Sequence, residues 1–351
     1  LGSGPNGGPN FQMGPEGSYI GNLMKGLVNV MEVPKDSELG ALTQKVLDNN
    51  FLFRKAEDPA FSYRANNPIP LFPGEKESPI KHVVFILKEN RTYDEIFGQL
   101  PGGNGAPQMA RFGANVSVKR LAGDTIKGLD IMPNHLALAK AFGMADNFYV
   151  DSDVSADGHK WLVGVYPNEW VEVNVVNSYG GVRGFRPDTL PPGMELMLNG
   201  YVSPEDYNEA GSVWFHLDRL HVPFFNFGLD TYILPREAAP AFAPQAERNV
   251  TNRPAPKGLI ANTSEKYPSY NTSIPDQFRA DVFMEEFQEK WGAGKMPMPA
   301  YTTIRLGNDH GAGVRVNEGY PYFQSYMSDN DLALGRIIEF LTHTPYWKNM
   351  L

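Results

Sequence analysis

Residues 81–99, KHVVFILKENRTYDEIFGQ, decide the fold. His82 to Leu87 is a short, apolar, β-branched run, the composition of a strand buried on both faces of a parallel sheet. Polar groups follow at once in Lys88-Glu89-Asn90-Arg91-Thr92. From Tyr93 to Leu100 the spacing is helical, with Ile96, Phe97 and Leu100 on one side, and Pro101-Gly102-Gly103 stops it. A hydrophobic strand delivering Glu89 and Asn90 to the turn before a helix is how open α/β sheets build sites at strand ends. The same residues also fit a solvated turn in which Asn90 or Thr92 caps the helix.

The chain has 351 residues, 42% of them hydrophobic, and a formal charge of -9. That length suffices for one large domain or two, with a substantial core. Its 35 glycines and 29 prolines imply many turns and long ordered loops rather than a helical bundle. Without cysteine there is neither a disulfide nor a thiolate metal site, so a metal would need Asp, Glu, Asn, Ser or His ligands. The acidic balance, with no Lys/Arg-rich run, argues against a nucleic-acid partner. No apolar segment is long enough for a transmembrane helix. The chain opens Leu1-Gly2-Ser3-Gly4 and stops at Trp347-Lys348-Asn349-Met350-Leu351 directly after a helical pattern. It reads as an internal piece of a longer protein, which leaves targeting unreadable.

Residues 1–17 are Gly/Pro/Asn-rich loop. Residues 18–20 and 27–33 read as two strands around a turn, a hairpin that needs a larger sheet to be stable. Ser37 caps a helix over 38–49 with the stripe Leu39, Leu42, Val46 and Leu47. Residues 51–80 read as a linker, 101–130 as irregular, and 133–142 as a helix. A strand is expected over 145–150, before Asp151-Ser152-Asp153-Val154-Ser155-Ala156-Asp157-Gly158-His159 and an apolar helix from Trp161. Helices are expected at 212–220 and 276–291, strands at 223–227 and 300–306, and a last helix capped by Ser328 with the stripe Leu334, Ile337, Ile338 and Leu341. Residues 175–210 and 230–276 read as insertions of the kind that form lids or binding loops. The alternation indicates a mostly parallel sheet with helices on both faces. The units expected are 1–36, an irregular β segment; 37–78, helix and linker; and 79–351, the main domain.

Polar clusters at 88–92, 151–159 and 307–311 each follow an apolar strand, and in a parallel sheet they can converge on one edge. They offer Glu89, Asn90, Ser155, Asp157, His159, Asn308, Asp309 and His310, a sulfur-free set suited to Mg, Mn, Ca or Zn. Ser155, at a helix start where free N–H groups favour an anion, could attack phosphorus if a metal lowered its pKa. It could equally be a simple cap. A calcium loop starting at Asp151 fails, because Ala156 and Leu162 stand where Gly and Glu are required. His159 and His310 sit beside carboxylates. His135, after Pro133-Asn134, reads as structural.

IKHVVFILKENRTYDEIFG resembles the opening motif of a bacterial phosphoesterase family, of phospholipase C and acid phosphatase type, within the alkaline phosphatase superfamily. ADNFYVDSDVSADGH resembles its nucleophile segment, and RLGNDHGAG and DNDLALGRIIEFLTHTPYWKN resemble later blocks. The likeness covers roughly residues 79–351. In one branch the enzyme follows a YVTN-type β-propeller, and GSYIGNLMKGLVNVMEVP is similar to the end of such a propeller.

The resemblance implies an alkaline-phosphatase-like fold and a divalent metal held by Glu89, Asn90 and Ser155. Ser155 would be the nucleophile. Asn308, Asp309 and His310 would line the phosphate or a further metal position, with Asp309 as a ligand and His310 beside the chemistry. Asp157 and His159 would support the phosphate. It implies a phosphate-ester substrate and a periplasmic or secreted enzyme. Family members continue past the WKN block into a strand with paired aspartates that complete the metal site; this chain stops before it, which puts activity of the piece in doubt. The alternative is a non-catalytic surface or binding module on a degenerate phosphatase scaffold.

Overall fold

The computed structural model describes residues 28–49, 67–70, 77–120, 122–149, 155–164, 211–229, 259, 261–268 and 270–351. Along them run α1 (Asp36–Asn49), β1 (Val83–Leu87), α2 (Tyr93–Phe97), β2 (Val116–Lys119), β3 (Thr125–Leu129), α3 (Pro133–Phe142), α4 (Ser155–Gly164), α5 (Val213–Arg219), β4 (Phe224–Phe227), α6 (Asp276–Lys290), β5 (Tyr301–Arg305) and α7 (Phe323–Thr342).

β1, β5 and β4 form a parallel sheet in that order, with Val83 and Phe224 both paired to Tyr301 on the central strand. The period-two alternation of strand side chains divides the core. Val84 and Ile86 of β1 join Phe225, Phe227, Ile304 and Leu306 in a cluster with Phe283 and Phe287 of α6 and Ile337 and Leu341 of α7. Phe85 and Leu87 point the other way, to Phe224, Val163 of α4 and Trp214 of α5. Helices therefore cover both faces, and the chain is α/β with a mostly parallel sheet. A third cluster, with Ile96, Phe112, Ile131, Met132, Tyr326 and Met327, joins α2 to the start of α7.

The first turns of α7 explain the Asp-Asn-Asp run at 329–331. All three side chains are buried inside a helix, where unpaired polar groups would be costly. Asp329 accepts the N–H groups of Asp276 and Gln277, capping α6. Asn330 donates to Asp276. Asp331 accepts the N–H groups of Asn134 and His135, capping α3. One helix thus ties down the starts of two others, using the free N–H groups that every helix start carries.

Several expectations are corrected. Residues 145–149 form no strand, and Phe148 and Tyr149 are exposed. A strand needs a ladder partner, and the side of β1 away from β5 is met by the chain's own residues: His82 bridges Met350, and Val84 N–H donates to Leu351. Residues 101–130 are not irregular throughout, since β2 and β3 pair antiparallel around a turn with Gly123 at φ +95°. The last helix begins at Phe323, five residues before Ser328, whose hydroxyl donates to Ile131 O inside it. Residues 28–33, expected in a strand, are unpaired and exposed. α1 forms but begins at Asp36, so Ser37 lies inside it rather than capping it, and Leu39, Leu42 and Val46 are exposed. The parts of the second insertion at 261–268 and 270–274 are packed rather than lid-like, with Tyr267 and Ile274 fully buried. The expected first strand at 18–20, most of the 51–80 linker and the insertion at 175–210 lie outside the described residues. Among the described residues no helix is long and apolar enough to cross a membrane.

Candidate active site

The alternation that splits the core continues past the end of β1. Glu89 keeps to the side of Phe85 and Leu87, facing α4; Lys88 keeps to the side of Val84 and Ile86, facing α7. The contacts follow that rule. Glu89 Oε1 accepts from His159 Nε2 at 2.9 Å and from Arg305 Nη2 at 2.6 Å. Lys88 Nζ lies 3.5 Å from Asp309 Oδ2. Asp309 Oδ1 in turn accepts the Glu89 backbone N–H at 3.0 Å. The turn after β5 thereby locks the turn after β1. Asn90, exposed, leaves it at φ +48°, a left-handed conformation that asparagine tolerates better than most side-chain-bearing residues.

Ser155 opens α4, four residues before His159, so the two share a helix face one turn apart. The His159–Glu89 bond carries that face to the end of β1. Residues far apart in the chain, Glu89, His159, Arg305 and Asp309, are gathered at the C-terminal ends of β1 and β5, and Ser155 lies one helical turn from His159.

Burial by itself would raise the Glu89 carboxyl, but the His159 hydrogen bond and the Arg305 charge outweigh it and hold the group well below the usual carboxylate range. Asp309 goes the other way. Full burial pushes its carboxyl up to about 7, against the opposing pull of Lys88 and the Glu89 N–H. One acid of the rim is firmly anionic, and its neighbour titrates near neutrality.

Asn308 does not line this rim. Its side chain is turned inward, where Nδ2 donates to Ile274 O, Tyr320 Oη and Asp329 Oδ2. Both oxygens of Asp309 are engaged, by Glu89 N–H and by Lys88, so it is placed as a strut and not as an open metal ligand. His310 stays at the rim, half-buried, with Nδ1 at 3.0 Å from Gly311 O and its ring edge-on to Tyr270. Asp157 lies in α4, and its side chain is outside the described residues.

Three groups of the rim were not singled out from the sequence. Arg305 is one, although a lone arginine in TTIRL, two residues before Gly307-Asn308-Asp309, was a signal. Lys88 is another. The third is the pair His135–Asp331, in which Nδ1 lies 2.6 Å from Asp331 Oδ1. Burial and the nearby Lys88 ammonium lower the imidazole to about 4, against the opposing pull of Asp331. At neutral pH it is uncharged, with Nδ1–H donated to Asp331 and a bare, buried Nε2 without a hydrogen-bond partner among the described residues. The partners are 196 residues apart, a separation that sequence patterning does not bridge.

Of the ligands expected from the sequence, Glu89 keeps a second oxygen outside the two bonds made by Oε1, Asn90 is exposed and Ser155 opens α4. Carboxylate, amide and hydroxyl oxygens fit a hard divalent ion in kind. Among the described residues no group of three or more His, Asp and Glu side chains could hold a metal. Comparisons with family models, curated proteins and solved structures gave no match to this chain.

Proposed function

We propose that the chain carries the site of a metal-dependent phosphoric ester hydrolase with Ser155 as nucleophile, on an alkaline-phosphatase-like scaffold. The observation that carries this reading is the His159–Glu89 hydrogen bond, which brings the helix face bearing Ser155 to the end of β1. The motif resemblance at 80–98, 145–159 and 305–313 supports it independently. Glu89, Asn90 and Ser155 would hold a divalent cation, which would lower the pKa of the serine hydroxyl and neutralise phosphoryl charge.

The protein's own groups do the rest. Glu89, kept anionic, fixes His159 and Arg305. Ser155 attacks phosphorus in line, and the Arg305 charge on the Glu89 side stabilises the transferring group. The uncharged His135, oriented by Asp331, is suited to take a proton from water in the second step, when the phosphoserine is hydrolysed. A periplasmic or secreted setting and an upstream propeller belong to the same reading, through the resemblance alone.

p-Nitrophenyl phosphate hydrolysis with added divalent metal tests it. Ser155→Ala is expected to lower the rate by about 10³-fold or more with the fold intact by circular dichroism. Turnover at the wild-type level in that variant would remove Ser155 from the chemistry.

A further inference from the structure

The period of β5, carried past its end, puts Gly307 on the same side as Arg305. Both meet one ring there. The Arg305 guanidinium lies 4.7 Å from the centroid of Tyr270, and a Cβ at Gly307 would come within 2.7 Å of that ring. The glycine is what leaves room for it. The His310 ring stands edge-on to Tyr270 at 5.8 Å. Arg305 is 4% exposed and gives Nη2 to Glu89 Oε1 at 2.6 Å. Its Nε and Nη1 are buried without an acceptor among the described residues. Buried charged donors left unpaired are costly, and native structures seldom keep them without a use.

Tyr270 reaches the rim from the second insertion, outside any helix or strand. Two arginines fix the residues that follow it. Arg279 of α6 donates Nη2 to Asn271 O at 3.1 Å and Nη1 to Ile274 O at 2.8 Å. Arg315 donates Nη1 to Ser273 Oγ at 2.8 Å and Nη2 to Thr272 Oγ1 at 3.3 Å. Asn271 Oδ1 accepts the Ser273 N–H at 2.9 Å. A stretch read from the sequence as a lid or binding loop is here a fixed bracket, and the side chain it presents to the strand end is Tyr270.

We propose that Tyr270 is a positioning residue of the rim: its ring holds the Arg305 guanidinium against Glu89, with Nε and Nη1 kept for a phosphoryl oxygen. This rests on the reading that phosphoryl transfer occurs at this rim. A single bond through Nη2 would let the guanidinium pivot, and the aromatic face supplies the second contact, one that a cation favours. A donor already ordered before the anion arrives does not have to be immobilised by it, so affinity and charge stabilisation both gain. Tyr270 acts through Arg305 and not on the reacting atoms.

NMR relaxation on the 351-residue chain tests the positioning without requiring turnover. The Arg305 Nε–H signal is assigned by its loss in R305K. Its order parameter is expected at about 0.85 in the wild type and below about 0.6 in Y270L, with the backbone of β5 unchanged. Y270F keeps the ring and should keep Arg305 rigid. G307A, which drives a methyl group into the ring, should loosen it as Y270L does. Equal rigidity of Arg305 in Y270L, or a β5 backbone loosened along with it, would overturn the proposal. Calorimetric titration with inorganic phosphate then reads what the rigidity does. Y270L is expected to bind about tenfold more weakly than the wild type, and Y270F to recover most of that loss. In an R305K background Y270L should add nothing, because effects that pass through one group are not additive. Unchanged phosphate affinity in Y270L, or additive losses in the double variant, would also overturn the proposal. If the wild type binds no phosphate, the phosphoryl reading falls, and the order parameters alone decide whether Tyr270 positions Arg305.

Discussion

His135 shows how one side chain couples stability to the rim. Free imidazole titrates near 6.5, and in this fold the group is lowered to about 4. Between those values the unfolded chain binds the extra proton and the folded one does not. The contribution is therefore fully present above pH 6.5 and is lost as the pH falls toward 4. It should amount to on the order of 3 kcal/mol. Denaturant unfolding of the wild type should show this loss between pH 6.5 and 4.5, and His135→Asn should lose less over the same interval. Parallel slopes for the two proteins would contradict the assignment. Glu89 is legible as a site residue because it follows an apolar strand, yet its partner Arg305 is 216 residues away. A strand period says which side of the sheet Arg305 faces; only the pairing of β1 with β5 says what it meets there.

At the scale of elements, α7 is the brace. Its apolar stripe at Leu334, Ile337 and Leu341 could be read from helical spacing, but that spacing makes the buried Asp329, Asn330 and Asp331 anomalous. They belong where they are because the starts of α3 and α6 abut this helix and supply N–H donors. Asp331→Ala removes the acceptor for two backbone amides and for His135. It should cost about 1–3 kcal/mol in urea unfolding and speed hydrogen exchange at Asn134 and His135 while leaving the amides of α6 protected. Loss of protection in α6 as well would mean that the braces are not separable. β2 and β3 were passed over because Gly113, Gly123 and Gly128 break up a pattern that is only a few residues long on each side. The expected strand at 145–150 had the right composition, but residues 145–149 pair with no strand of the sheet.

In the whole molecule, the largest core among the described residues lies between the sheet and the α6–α7 pair. Phe283 sits at its centre, fully buried, with its ring 5.0 Å from Phe227 and 5.8 Å from Phe287. Phe283→Ala should cost about 3–5 kcal/mol by removing that contact and leaving a cavity. A loss under about 1 kcal/mol would mean that the core collapses readily around the gap. The layer is also what holds β5 in the middle, and β5 delivers both Arg305 and the turn at 307–310. Damage there is expected to reach the rim without touching it.

The order of apolar strands and amphipathic helices, read from period and punctuation, was enough for the α/β class, for the parallel sheet and for two of the polar turns that meet at its edge. Those are local properties, set within a few residues by side-chain size, branching and turn chemistry. Which polar groups face one another was decided by tertiary structure. The clamp on Arg305, the pairing of His135 with Asp331, the inward turn of Asn308 and the use of Asp309 as a strut each join residues from distant segments. A buried charge or amide settles on whichever partner packing brings within about 3 Å, and no pattern along the chain encodes that distance.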